Sequence, residues 1–122
     1  MAVHGPSGNK LVTDAPVDNQ GRGESFSPTD LVATALGTCV VTTMGICARR
    51  KGIPIEGSKV RVIKEMTSEG PRKIARLGVR IELPLPPDHP ERQVLMAAAD
   101  GCPVIRSLHG DVAVEIEWVW NG

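Results

Sequence analysis

The sequence predicts an α+β domain, an antiparallel sheet packed on one buried central helix, and three observations carry that prediction. Leu31 to Ala48 is a stretch of eighteen residues without a charge, bounded by helix start and stop signals. Beyond Pro54 the apolar residues alternate with charged ones at a period of two, as half-exposed strands require. Farther on, Val94, Leu95, Ala98 and Ala99 return to helical spacing before a last alternating segment.

In chain order, Gly5-Pro6-Ser7-Gly8 is a turn signal between a very short opening strand and Lys10-Leu11-Val12-Thr13, which predicts a small hairpin. Asp14 to Glu24 reads as loop. Ser27 is a good N-cap, with Pro28 at the first helical position and Asp30 three residues after the cap, a capping-box-like start. Arg49, Arg50 and Lys51 before Gly52 make the cation-then-glycine ending that a helix dipole favours. A helix this apolar should be buried on most of its faces. In so small a domain something besides its own sheet must then cover it, and a second subunit is the obvious cover.

Val60 and Val62 alternate with Lys59 and Arg61, and Leu77, Val79, Ile81 and Leu83 alternate with Arg76, Arg80 and Glu82. These are two strands joined through the turn Ser68-Glu69-Gly70-Pro71, and Pro84, Pro86 and Pro87 stop the second. Asp88, with Pro90 and Glu91 behind it, predicts the start of the shorter helix, and Gly101 its end. Cys102-Pro103 opens a short turn of helix to about Leu108. Val112, Val114, Ile116, Trp118 and Trp120 then share one strand face, with Glu115 and Glu117 opposite. No repeat or linker divides the chain, so residues 1–122 read as one domain of βαββαβ-like order.

Composition excludes several functions. Fourteen basic and fourteen acidic side chains cancel, so no positive field is built for a nucleic acid or an anionic membrane. Phe26, Trp118 and Trp120 are the only aromatics, which leaves almost nothing to stack on bases or sugars. The uncharged helix touches the lower length limit of a membrane span, but Thr34, Thr38, Thr42, Thr43, Gly37 and Gly45 dilute it, and a soluble core helix is expected. Met1 to Gly5 has neither the basic start nor the apolar run of a signal peptide. Three cysteines without close pairing suit a reduced cytosol better than a secreted disulfide scaffold. His4, His89 and His109 have no metal-ligand spacing with the cysteines, and no Gly-rich phosphate loop is present, so neither metal nor cofactor is expected.

The cysteines are the candidates for chemistry. Cys102 stands at the expected N-cap of a short helix, where unpaired backbone N–H groups lower a thiol's pKa. Cys39 lies about three turns inside its helix, where the dipole effect has faded. The residues by themselves therefore rank Cys102 as the more ionised thiol. Cys47, near the same helical face as Cys39, reads as a small core residue. His109 follows the Cys102 helix, where it can cap that helix or approach a site near the cysteines.

Ser27-Pro28-Thr29-Asp30 running into the stretch that holds Cys39, with Cys102-Pro103-Val104 sixty-three residues after Cys39, resembles the OsmC/Ohr family of thiol-dependent hydroperoxide reductases. The resemblance implies an OsmC-like fold in an intertwined homodimer. It implies that Cys39 attacks an organic hydroperoxide, that Cys102 resolves the product to a disulfide, and that a dithiol reductant restores the pair. It also implies an arginine held by a glutamate ten residues before the attacking cysteine. Here that position is Thr29, and the acid is displaced by one to Asp30, about 100° around the helix. Arg22 is the only arginine in the N-terminal segment. Cys39, Cys102, Arg22 and Asp30 are thus the expected catalytic residues, although a solvated loop arginine explains Arg22 as simply and a helix-cap acid explains Asp30 more simply. An alternative function is that of a non-catalytic, stress-associated protein of the same fold that binds a small molecule, a reading fed by Thr29 in place of the acid.

Lowering a thiol's pKa by two units from about 8.5 raises its thiolate fraction roughly 25-fold at neutral pH but costs about tenfold in intrinsic nucleophilicity. The net gain is a few-fold. Most of a fast peroxide reduction must come from orienting the peroxide and stabilising the leaving alkoxide, a task suited to a guanidinium.

Overall fold

The computed structural model describes residues 1–108 and 110–122, so the expectation placed on His109 lies outside the described residues. They form two units, Met1–Val32 and Ala33–Gly122.

In the first unit, strands β1 (Ala2–Val3) and β2 (Lys10–Leu11) pair antiparallel as the hairpin the turn signal predicts, with Ala2 opposite Leu11. A single 3-10 turn, Val17–Asn19, interrupts the loop that follows. The loop's two ends run side by side, with Asp14 N–H donating to Phe26 O at 3.0 Å and Ser25 Oγ to Val12 O at 2.9 Å. Helix α1 (Pro28–Lys51) begins here. Ser27 Oγ accepts from Asp30 N–H at 3.0 Å while Asp30 Oδ2 accepts from Ser27 N–H at 2.9 Å. Two donors that the first helical turn would otherwise leave unmatched are satisfied reciprocally, a full capping box.

In the second unit α1 ends as its sequence predicts. Gly52 takes φ +68°, its N–H donates to Arg49 O, and Ile53 N–H reaches Ala48 O at 2.9 Å. Ile53 is buried beside this Schellman ending. Strands β3 (Lys59–Met66), β4 (Ile74–Leu83) and β5 (Ala113–Trp120) form one sheet in the order β3-β4-β5. β3 and β4 are antiparallel, with Val62 opposite Val79. β5 runs parallel to β4, Leu77 beside Val114 and Leu83 beside Trp120, so the sheet is mixed and not antiparallel as expected. The connection explains the difference: α2 (Arg92–Asp100) and α3 (Pro103–Ser107) carry the chain back along the sheet, and a returning helical crossover brings the next strand in parallel. α2 also starts later than expected. Asp88 does not cap it; Glu91 precedes the first turn, without a side-chain cap.

The core joins Leu36, Val40 and Met44 of α1, Leu77, Val79, Ile81 and Leu83 of β4, and Leu95 and Ala99 of α2, all buried. Gly37 is buried with them and marks where α1 crosses β3: a Cβ there would stand 2.9 Å from Val62 Cγ2 and 3.6 Å from Val60 Cγ1. Other positions of α1 are open. Val41 is 36% and Ile46 50% exposed. By length and composition α1 is also the one helix among the described residues able to cross a membrane. The far face of the sheet is charged. Arg76 Nη2 and Nε donate to Glu115 Oε2 at 2.8 and 3.0 Å, which holds the Glu115 carboxyl below its usual range.

Candidate functional site

Cys39 projects from the middle of α1, and Cys102 occupies the residue between α2 and α3. The local sequence fixes the second of these. Gly101 N–H donates to Ala97 O at 3.0 Å and Cys102 N–H to Ala99 O at 3.2 Å, which closes α2. Cys102 then turns extended (φ −64°, ψ 138°), Pro103 pre-sets the first helical residue, and α3 begins. The Cys102 side chain caps this helix, its Sγ accepting from Ile105 N–H at 3.4 Å.

The two thiols meet. Cys39 and Cys102 lie close enough for each thiol to affect the other's ionisation, and both are free thiols. Their settings differ. Cys102 has no exposed surface, whereas Cys39 is half-buried. Burial pushes the Cys102 thiol above its ordinary pKa; the Ile105 and Val104 N–H groups pull it down, and the neighbouring Cys39 adds to the rise. This corrects the expectation of a readily ionised Cys102. The helix-terminus donors are where the sequence places them, but withdrawal from water costs the thiolate more than those donors return.

Thr43, one turn beyond Cys39, donates its hydroxyl to Cys39 O at 2.9 Å. It also lines an apolar groove of about 390 Å³ between α1 and α2, together with Ile46, Cys47, Arg50 and Ala98. Cys47 is half-buried in that wall, so it is a lining residue and not the core filler expected. Among the described residues no group of three His, Cys, Asp or Glu side chains could hold a metal ion.

The other two expected site residues belong to the first unit. Asp30 is engaged at the start of α1 through Ser27 N–H, and the neighbouring Thr29 hydroxyl lies 3.2 Å from Ser27 Oγ. Arg22 is exposed at the tip of a loop held by Gly21 N–H to Pro16 O and Gly23 N–H to Ala15 O. Among the described residues Arg22 makes no hydrogen bond or ion pair. The structure therefore brings Cys39 and Cys102 together and does not join Arg22 to Asp30. Sequence reasoning placed backbone donors at Cys102, and the structure identifies the one that reaches its sulfur as Ile105, the third helical residue.

Residues 21–117 match the family model described as OsmC-like protein. A solved structure of a candidate osmotic stress induced and detoxification response protein from Psychrobacter arcticus 273-4 is 40% identical, with a TM-score of 0.87 over 95% of this chain and 84% of that one. An organic hydroperoxide resistance protein OsmC from Legionella pneumophila shares the fold at 21% identity, with a TM-score of 0.71 over 87% and 78% of the two chains. The organic hydroperoxide resistance protein OhrB of Bacillus subtilis does so at 20% identity, with a TM-score of 0.64 over 77% and 70%. No curated protein matches the chain.

Proposed function

Because this chain belongs to the OsmC-like protein family, whose solved members include organic hydroperoxide resistance proteins, we propose that it is a thiol-dependent reductase of organic hydroperoxides. The approach of the Cys39 and Cys102 thiols, from segments sixty-three residues apart, is the observation that carries the reading. The Cys39 thiolate attacks the terminal oxygen of the peroxide. The O–O bond breaks, the leaving alkoxide takes a proton to become an alcohol, and Cys39 becomes a sulfenic acid. Cys102 then attacks the Cys39 sulfur, loses its own proton and expels water, and a Cys39–Cys102 disulfide remains. The peroxide has gained two electrons and the cysteine pair has lost two. A dithiol of the reduced cytosol returns them.

Arg22 is the arginine we propose for the peroxide's oxygens, on its place in the segment that resembles the family's. The covered state of α1 is proposed to be a homodimer, since the exposed Val41 and Ile46 extend its apolar surface beyond what the chain's own sheet buries. Titration of free thiols before and after a stoichiometric dose of cumene hydroperoxide tests the activity: two thiols per chain should disappear. One observation favours a second reading, a binding protein without useful turnover. The acid nearest the family's position, Asp30, is bonded to the helix start. In that case the peroxide leaves every thiol intact.

A further inference from the structure

The thiol pair is asymmetric in a way that bears on its reduction, which the peroxide chemistry leaves open. Cys39 is half-buried, and Cys102 has no exposed surface. Thiol–disulfide exchange needs the incoming sulfur to reach one particular sulfur in line with the bond that breaks, so access decides which one is attacked. The Cys102 sulfur is enclosed where α2 meets α3, and it accepts the Ile105 N–H at 3.4 Å. Of the two residues Cys39 alone has exposed surface for an incoming thiol to approach, and the sulfur displaced by attack there already has a donor facing it.

We propose that the dithiol reductant attacks the disulfide at the Cys39 sulfur and that Cys102 is the leaving group, so that the mixed disulfide with the reductant forms on Cys39 alone. This rests on the reading of Cys39 and Cys102 as a redox pair. The incoming thiolate forms a bond to Cys39 Sγ, the Cys39–Cys102 bond breaks, and its electron pair goes to Cys102 Sγ against the Ile105 N–H. Cys102 is reprotonated as the second thiol of the reductant gives up its proton. That second sulfur then attacks the first, closing the reductant's own disulfide and releasing Cys39 as the thiolate that meets the next peroxide. Two electrons pass from the dithiol to the cysteine pair. Cys39 thus contacts both substrates in turn, and Cys102 contacts neither.

The test needs no peroxide. The Cys47→Ser protein is oxidised to the disulfide with diamide, treated with the monothiol thionitrobenzoate, quenched with acid within seconds and digested with trypsin. Cys39 and Cys102 then lie in separate peptides, because Arg49 and Arg92 fall between them. The expected result is a mixed disulfide on the Cys39 peptide at least tenfold more abundant than on the Cys102 peptide. Equal labelling, or label chiefly on Cys102, overturns the proposal. So does the absence of a Cys39–Cys102 disulfide after diamide. If diamide forms the disulfide and the label falls on Cys39 while cumene hydroperoxide leaves the thiols untouched, the order of attack stands and only the peroxidase reading fails.

Discussion

Gly37 of α1 and Val62 of β3 are in such close approach that a Cβ on the glycine would stand 2.9 Å from the valine Cγ2, nearer than real Cβ atoms come. Valine is stiff about χ1, so it cannot simply swing aside. The expected result of Gly37→Ala is a net loss of about 1 kcal/mol, overpacking of about 1–3 kcal/mol being partly offset by alanine's better helix propensity of about 1 kcal/mol. Val62→Ala removes the obstructing methyl. Urea denaturation of the double variant should show the two substitutions costing at least about 1 kcal/mol less than their sum. Strict additivity would mean that the helix settles elsewhere.

Asp30 and Arg22 are separated by two substitutions. The bond to Ser27 N–H needs an acceptor, which asparagine keeps and alanine lacks. Asp30→Ala should lose about 1 kcal/mol, whereas Asp30→Asn should melt within a few degrees of the parent and consume peroxide within about twofold of its rate. A tenfold slower Asn variant with unchanged melting would place the carboxylate in the chemistry. Arg22→Gln, at an exposed position, should leave melting unchanged and slow peroxide consumption at least tenfold in stopped-flow assays, because its guanidinium is proposed to act on the reacting oxygens.

The start and end of α1, the opening hairpin, the β3–β4 pairing and the inward face of each strand were legible in the sequence. Each depends on a local signal: Ser27 with Asp30, Arg49 to Gly52, the turn at Gly70, and period-two alternation. The direction of β5 was not legible. Alternation of Val114, Ile116 and Trp118 with Glu115 and Glu117 reports which face is buried, and that is the same for a parallel or an antiparallel neighbour. The Cys102 cap was legible from Cys-Pro, but the direction of its pKa was not. Desolvation depends on residues remote in the chain that enclose the sulfur, and no local pattern records them.

That raised pKa makes a pH prediction. The folded state holds the Cys102 proton more tightly than the unfolded chain, so its contribution is complete below the unfolded thiol's pKa and is lost as pH rises through the higher folded value. Stability measured by urea denaturation should fall above about pH 8.5, the ordinary thiol value, and the fall should be shallower in Cys102→Ser. An equal slope in both proteins would assign the alkaline loss to other groups.

Association should be visible directly. Sedimentation equilibrium at micromolar concentration is expected to give twice the chain mass, and Val41→Glu with Ile46→Glu, which charges the exposed side of α1, should shift the protein to monomer. A folded monomer of the parent at that concentration contradicts the homodimer.

The division of labour between Cys39 and Cys102 is the centre of the account, and one measurement reaches it: mass spectrometry of variants that each lack one cysteine, after one equivalent of cumene hydroperoxide with dimedone present. Cys102→Ser should consume one equivalent and carry the dimedone adduct on Cys39, since the attacking thiol is intact and only its partner is gone. Cys39→Ser should consume none, and Cys47→Ser should form the Cys39–Cys102 disulfide as the parent does. An adduct on Cys102 in Cys39→Ser, formed at the parent's rate, would contradict the account and make the buried thiol the one that meets the peroxide.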